Sequence, residues 1–131
     1  MKRTVLSLLF AGITFISLCQ TKYNIEVQIP GYKENDTINL VDLLNMNYIF
    51  QCNNKNFPIV GFVLVYTYGN NDYMMISKSN KLTDDMKNRL IRFESMNVKI
   101  LKISFKAITV ETSLKEQIKT GPQLKYILRI K

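Results

Sequence analysis

Few side chains in this chain of 131 residues could carry out chemistry, and one absence narrows the choice. The sequence contains no histidine, which excludes hydrolases that use imidazole as the general base and nearly every zinc site built from histidine and cysteine. Asp84 and Asp85 are the only adjacent carboxylates, but neighbouring residues of a helix do not face each other. We expect this pair to favour a helix start, and we predict no catalytic residue.

The sequence also predicts no metal and no cofactor site. Asp72, preceded by Asn70 and Asn71, could offer oxygen ligands to calcium, but an ion with about six to eight ligands needs more of them. A turn explains these residues without an ion. The glycines after residue 19 are isolated, so they form no phosphate-binding loop. We therefore predict that the protein is not an enzyme.

Two groups of side chains favour binding instead. Three tyrosines flank one predicted hairpin, and such amphipathic rings are common in protein interfaces and sugar platforms. The segment from Lys99 to Lys131 carries eight cations against two carboxylates, a bias that could attract an acidic protein, an anionic glycan or a lipid surface. Packing across the sheet and a solvated strand face are the alternative interpretations. The candidate partner-binding residues are Tyr66, Tyr68, Tyr73, Lys102, Lys106 and Lys125.

The first nineteen residues predict export. Lys2 and Arg3 precede the apolar run Thr4–Leu18, which is shorter than the roughly 20 residues that a membrane-spanning helix needs. Small residues then occupy the two positions that a signal peptidase inspects, the second being Cys19. We predict a cleaved signal peptide over residues 1–19. The alternative is a lipoprotein acylated at Cys19, which would provide the only membrane contact.

One domain is predicted over residues 20–131, because that length suits a single core. Cleavage would leave Cys52 without a partner, so we expect a buried thiol and no disulfide. The formal net charge is +8, of which Lys2 and Arg3 account for two. No basic cluster alternates with aromatic residues, and exported proteins seldom meet nucleic acid, so we predict no nucleic-acid partner. Homo-oligomerisation stays open.

The elements that would position these side chains are mainly strands. Alternating apolar residues predict strands over Tyr23–Ile29, Tyr48–Cys52, Phe57–Tyr68, Val98–Val110 and Leu124–Ile130, with a turn at Gly69–Asp72 that leads into Tyr73–Ser77. Both sides of Phe57–Tyr68 are apolar, which predicts a central strand between two layers. The alternation shifts phase at Leu101-Lys102, which predicts a β-bulge or strand break there.

Two short helices complete the prediction. Leu40–Leu44 has apolar residues at helical spacing, and Lys81–Phe93 begins with the capping candidate Thr83. Met86, Leu90 and Phe93 give the second helix an apolar stripe that should pack on the sheet. Several short strands, two brief helices and no βαβ periodicity predict a mainly β protein, a β-sandwich with small helical additions.

Several of these segments, taken in order, resemble the C-terminal domain of the GldM/PorM family. The similarity covers about Thr37–Lys131. Its motifs are patterns of strand residues and not a catalytic signature. The segments that carry it are Leu40–Leu44, Tyr48–Phe50, Asn56–Ile59, Val60–Leu64, the Leu82-Thr83 helix start with Met86 and Leu90, Ile103–Val110 and Leu124–Ile130.

Members of that family belong to the gliding-motility and type IX secretion machinery of Bacteroidetes, and their fourth periplasmic domain is an immunoglobulin-like β-sandwich. The resemblance implies such a sandwich in this chain, binding another envelope or secreted protein without a cofactor. The family usually has a glycine before the late strand, where this chain has Met96-Asn97. The family's domain is carried on a membrane-anchored chain, so a cleaved leader predicts a free-standing periplasmic or secreted domain here. The alternative function is a surface module that binds glycan or anionic lipid through the tyrosine hairpin and the lysine-rich strands.

Overall fold

The computed structural model describes residues 24–121 and 123–131, so the predicted leader over residues 1–19 lies outside the described residues. The predicted mainly β class is confirmed. The strands are β1 (Val27–Gln28), β2 (Thr37–Asn39), β3 (Gln51–Cys52), β4 (Ile59–Tyr68), β5 (Asn71–Ser77), β6 (Ile100–Glu111), β7 (Gln117–Lys119) and β8 (Leu124–Arg129). The helices are α1 (Leu40–Leu44) and α2 (Asp84–Ser95).

Six strands form one main sheet in the order β2-β8-β6-β4-β5, and β7 pairs with the far half of β6. β2 runs parallel to β8, while the other neighbours are antiparallel. β1 and β3 form a separate two-stranded sheet. We call the side of the main sheet that carries Leu64 the inner face, and the side that carries Val65 the outer face. The small sheet and α2 both cover the inner face, which gives a sandwich-like arrangement.

A cluster of aromatic rings stabilises the inner face. The Phe50 ring, just before β3, meets the Phe62 and Phe105 rings edge-on, with centroids 5.2 Å and 5.0 Å away. Tyr126 of β8 continues the cluster 6.1 Å from Phe105. Edge-to-face contacts at these distances are favourable beyond the area that they bury. The cluster therefore fixes the small sheet against three different strand segments of the core.

Helix α2 begins behind the predicted cap Thr83 and runs to Ser95, beyond the predicted end at Phe93. The Thr83 hydroxyl accepts a hydrogen bond from the Met86 amide at 3.1 Å, which is an N-cap. The predicted stripe of Met86, Leu90 and Phe93 is buried on the inner face. At the other end the Val98 amide donates to the Phe93 carbonyl and the Asn97 amide to the Glu94 carbonyl, each at 3.2 Å, the pairing of a Schellman motif.

Asn97 occupies the position just after the C-cap of this helix. Its φ is 59°, in the left-handed region that glycine adopts most easily and asparagine tolerates. The predicted hairpin turn is also present: Gly69 has a φ of 64°, and Tyr68 pairs with Asn71 across it. In both turns the residue type meets the backbone conformation that the turn requires.

Three expectations about strands need correction. The β-bulge predicted at Leu101-Lys102 is wrong, because β6 pairs with β8 without interruption there. The irregularities lie further along, where the β4–β6 register shifts on both sides of Gly61 and Ala107 takes a φ of 50°. Of the predicted first strand, Tyr23 lies outside the described residues, and within residues 24–29 only Val27–Gln28 (β1) is strand, because only these two residues pair with the short strand β3. β2 and β7 were not predicted.

The prediction of two covering layers around β4 is also wrong. Its inner side lies under α2 and the small sheet, whereas its outer side continues into exposed residues, Met74 and Ile76 of β5 and Lys102 of β6. Val65 is nevertheless only 6% exposed, and it lies between Met74 and Ser104 of the neighbouring strands. β4 therefore has apolar side chains on a side that no layer of the described fold covers.

Candidate functional site

The structure separates the six predicted partner-binding residues into two groups on opposite faces of the main sheet. Tyr66, which pairs with Tyr73 and Ile103, belongs to the inner face. Lys102 pairs with Thr67 and Ile127, which are outer-face residues. A ligand on one face therefore cannot contact both groups at once. The tyrosine hairpin and the lysine-rich strands are two separate surfaces.

The tyrosines form an aromatic corner against the end of α2. Tyr66 and Tyr73 stack with centroids 5.2 Å apart and an angle of 15° between the rings. Phe93 lies 5.6 Å from the Tyr66 ring and 5.2 Å from the Tyr68 ring. Tyr66 is 2% exposed, so it is a core residue, whereas Tyr68 and Tyr73 are 39% and 38% exposed. Cross-strand packing accounts for Tyr66, and only the other two tyrosines remain available to a partner.

A shallow pocket of about 310 Å³ opens beside these rings. Arg89, Arg92 and Met96 of the α2 end complete its lining together with the aromatic corner. Neither guanidinium forms a salt bridge with any residue that the structure describes. A guanidinium beside aromatic rings suits a carboxylate, which it can bind through two parallel hydrogen bonds. We call this the arginine pocket.

Sequence reasoning missed the two arginines of this pocket. They stand three residues apart and so share one side of α2. Their signal was the position of Arg92 directly before Phe93, the last residue of the buried stripe. That placement sets them at the margin between the helix and the sheet.

The three predicted lysines lie together on the outer face. On β6, Lys102 lies two residues before Ser104 and Lys106 lies two residues after it. Lys125 lies directly opposite Ser104 on β8. Alternation with the buried residues of β6 and β8 turns all three towards solvent. Arg129 extends the same face along β8. The β6 and β8 half of the outer face is therefore strongly cationic.

The other half of the outer face is apolar. Met74 and Ile76 of β5 are 68% and 67% exposed. They lie directly opposite Val65 and Val63 of β4. Asp72 is the carboxylate of β5, and its Oδ1 already accepts a hydrogen bond from Thr67 at 2.6 Å. Sequence reasoning missed Met74 and Ile76, although an uninterrupted apolar run on a short strand was the available signal.

A second, larger cleft separates the small sheet from the main sheet. Its volume is about 510 Å³, and its apolar walls come from Ile25, Val27, Cys52, Ile108 and Leu124. Cys52 is a free thiol, and it is buried as predicted. Glu26 and Lys55 are its charged lining residues. Gln28, Gln51, Asn53 and Thr120 add polar groups to its lining.

The pKa of Tyr126 reflects its place in the core. Burial raises the pKa of Tyr126, the Glu34 and Asp36 carboxylates act in the same direction, and the Ile29 backbone opposes them. Tyr126 packs in the aromatic cluster, so a core environment explains its pKa. In the part of the chain that the structure describes, no group of three His, Cys, Asp or Glu side chains could hold a metal ion. None of the helices described is long and apolar enough to span a membrane.

Comparison with known protein families, curated proteins and solved structures found no match to this chain. The function is therefore inferred from the two surfaces of the main sheet, the tyrosine hairpin and the lysine-rich strands.

Proposed function

We propose that the protein is a non-enzymatic protein-binding module and that its partner covers the outer face of the main sheet. One observation carries the proposal. The sequence gives β4 and β5 apolar side chains on both sides, as in strands buried on both sides, yet the described fold covers the inner side alone. Met74 and Ile76 therefore leave apolar surface in contact with water, a pattern typical of interaction sites.

The charges around this surface support a protein partner further. A protein interface commonly combines an apolar centre with a polar rim. Here Val63, Val65, Met74 and Ile76 form the centre, and the cations of β6 and β8 form one side of the rim. Such an arrangement favours a partner that is apolar at its centre and acidic at its rim.

The resemblance of the sequence to the GldM/PorM C-terminal domain suggests which partner to seek. It supports a partner among exported envelope or secreted proteins, in association with the secretion or gliding machinery, and a role for this chain as a free-standing periplasmic or secreted domain. Recovery of the leader-free chain from the periplasm or medium, starting at Gln20, would support this placement. A mature chain that begins with an acylated Cys19 would instead assign it to the membrane surface.

Photo-crosslinking in the source cells tests the protein-binding proposal directly. A photoreactive phenylalanine analogue replaces Ile76 or Ser104, which both lie on the outer face, or Leu114, which is 70% exposed in the loop between β6 and β7. We expect a discrete protein adduct from the two outer-face positions and none from Leu114. Absence of an adduct at both outer-face positions would contradict the proposal, as would equal adducts at all three.

The alternative is a surface module that binds anionic lipid or glycan, and the clustering of Lys102, Lys106 and Lys125 on one face supports it. Such binding should weaken steeply as salt screens the charges. The test is flotation with vesicles that contain phosphatidylserine, repeated after charge reversal at the three lysines. Binding that survives the reversal would contradict the alternative. The tyrosine hairpin cannot contribute to the same contact, because it belongs to the inner face.

A further inference from the structure

The two edges of the main sheet are protected to very different degrees. β2 forms one edge with three residues, and the chain turns into α1 immediately after it. β5 forms the other edge with seven residues in unbroken register with β4. Short edge strands, bulges, prolines and lysines are the usual protections against pairing with another chain. Within its seven residues β5 has none of them.

The hairpin register identifies which backbone groups β5 leaves free. Its two-residue turn makes Tyr68 and Asn71 a hydrogen-bonded pair, and such pairs then alternate along an antiparallel ladder. Asp72, Met74 and Ile76 therefore point their N–H and C=O groups away from β4. Among the described residues, no backbone hydrogen bond outside the ladder engages them. Together they offer three donors and three acceptors to an added strand.

Side chains beside this edge indicate what kind of strand would fit. A residue paired with Met74 or Ile76 would lie on the outer face, beside exposed apolar side chains. A residue paired with Tyr73 would lie on the inner face, next to the arginine pocket. Since neither Arg89 nor Arg92 has a carboxylate partner in the described chain, an acidic side chain there would complete both charge and hydrogen bonding.

We propose that an extended segment of a partner protein, with alternating acidic and apolar residues, adds to β5 as a further strand of the main sheet. Its acidic side chains occupy the arginine pocket and its apolar side chains extend the outer face beyond Met74 and Ile76. This inference rests on the proposed protein-binding function and specifies its mode, β-strand addition. Charge disfavours a second copy in this role, because β5 offers only Asp72 to the arginines of another molecule and Asp72 is bound to Thr67.

The test uses the purified chain and two synthetic peptides, one of alternating glutamate and valine and one of alternating lysine and valine. Backbone hydrogen exchange is followed by NMR at each β5 amide. With the glutamate peptide at saturation we expect exchange at Asp72, Met74 and Ile76 to slow by about threefold to tenfold, the effect of one net hydrogen bond. The lysine peptide should leave it unchanged. Unchanged exchange with the glutamate peptide, or equal slowing by both peptides, would overturn the proposal.

Two substitutions at one position isolate the backbone contribution. Met74→Pro removes the N–H that points away from β4 and leaves every hydrogen bond to β4 in place. Edge strands tolerate such a proline. Met74→Ala keeps the N–H and removes only side-chain surface. Circular dichroism must show both variants folded; if Met74→Pro unfolds, Arg92→Gln against Lys115→Gln, at an exposed residue in the loop between β6 and β7, provides the comparison. We expect Met74→Pro to abolish glutamate-peptide binding and Met74→Ala, which loses contact surface but keeps the N–H, to weaken it less. We expect Arg92→Gln to weaken binding and Lys115→Gln to retain it. Equal affinity within either pair would overturn strand addition.

Two further outcomes separate this inference from the proposed function. If the crosslinked adduct at Ser104 persists in the Met74→Pro variant, a partner covers the outer face without adding a strand, so the inference fails and the protein-binding function stands. If the chain alone forms a dimer that Met74→Pro dissociates, the edge belongs to a second copy, which also overturns the acidic segment. Absence of an adduct at both Ile76 and Ser104 in the chain without the Met74→Pro substitution would contradict the proposed function itself.

Discussion

The two faces of the main sheet are built from the same strands but differ in the burial and charge of their side chains. In β8 the inner residues Tyr126 and Leu128 are buried, and the outer residues Lys125 and Arg129 are charged and exposed. This alternation is what a sheet covered on one side requires. At β4 and β5 this alternation of buried and charged residues is absent, because the outer face there is apolar too. The difference shows that the inner face, apart from the arginine pocket, serves folding, while part of the outer face carries surface that the described fold does not use.

The largest effect that sharpens this comparison comes from Phe105→Ala. Phe105 is fully buried on the inner face and contacts the rings of Phe50, Phe62 and Tyr126. Removing a buried aromatic ring costs its transfer free energy and leaves a cavity, together about 3–5 kcal/mol. We expect the free energy of unfolding, measured by urea denaturation, to fall by that amount.

Ile100→Ala is the control on the same strand. Ile100 lies on the outer face and is largely exposed, so its truncation should change the free energy of unfolding by no more than about 0.5 kcal/mol. Similar losses in the two variants would contradict the division between a folding face and a solvent face.

A matched pair of valines measures how much stability the covered part of the outer face provides. Val110 of β6 belongs to the buried core, and Val65 of β4 is buried only by outer-face neighbours such as Met74. Val110→Ala should cost about 2 kcal/mol, because two methyl groups and a cavity are involved. Val65→Ala should cost about 1 kcal/mol or less, since flexible neighbours can close over the space. Urea denaturation of both variants makes the comparison, and a larger loss at Val65 would mean that another layer covers it.

Local patterns predicted the elements that form the inner face. The Thr83 cap, the stripe of α2, the hairpin turn at Gly69 and the alternation of β8 each depend on residues close in sequence. In these places the residue type and the burial demand agree, so periodicity alone identifies the element.

Long-range pairing could not be predicted in the same way. β2 has only three residues, and its parallel partner β8 follows about ninety positions later, so no local period distinguishes it from a loop. The bulge was misplaced because Ile100, an apolar residue on the exposed outer face, imitates a phase shift at Leu101. The arginine pocket escaped prediction because its members come from β4, β5 and α2, which meet only in the folded sheet.

A smaller effect tests how α2 holds its place over the inner face. Thr83→Ala removes the hydroxyl that accepts from the Met86 amide, which should lower the free energy of unfolding by about 1 kcal/mol. Thr83→Ser keeps an oxygen at the cap and should retain most of that stability. Thermal or urea unfolding of both variants measures the difference. If alanine and serine behave alike, the cap contributes nothing and the buried stripe alone positions the helix.

The smallest effect is a pH dependence confined to the inner face. Burial raises the pKa of Tyr126 above its ordinary value near 10, so above about pH 10 the folded chain holds a proton that the unfolded chain releases. The stability from neutral Tyr126 is therefore complete below that pH and is lost as pH rises towards the folded pKa. Urea unfolding from pH 8 to 11 should show a steeper decline in the unsubstituted chain than in Tyr126→Phe, while Tyr48→Phe, at an exposed ring, should follow the unsubstituted chain. A parallel decline of Tyr126→Phe and the unsubstituted chain would place Tyr126 in a more solvated site than the aromatic cluster.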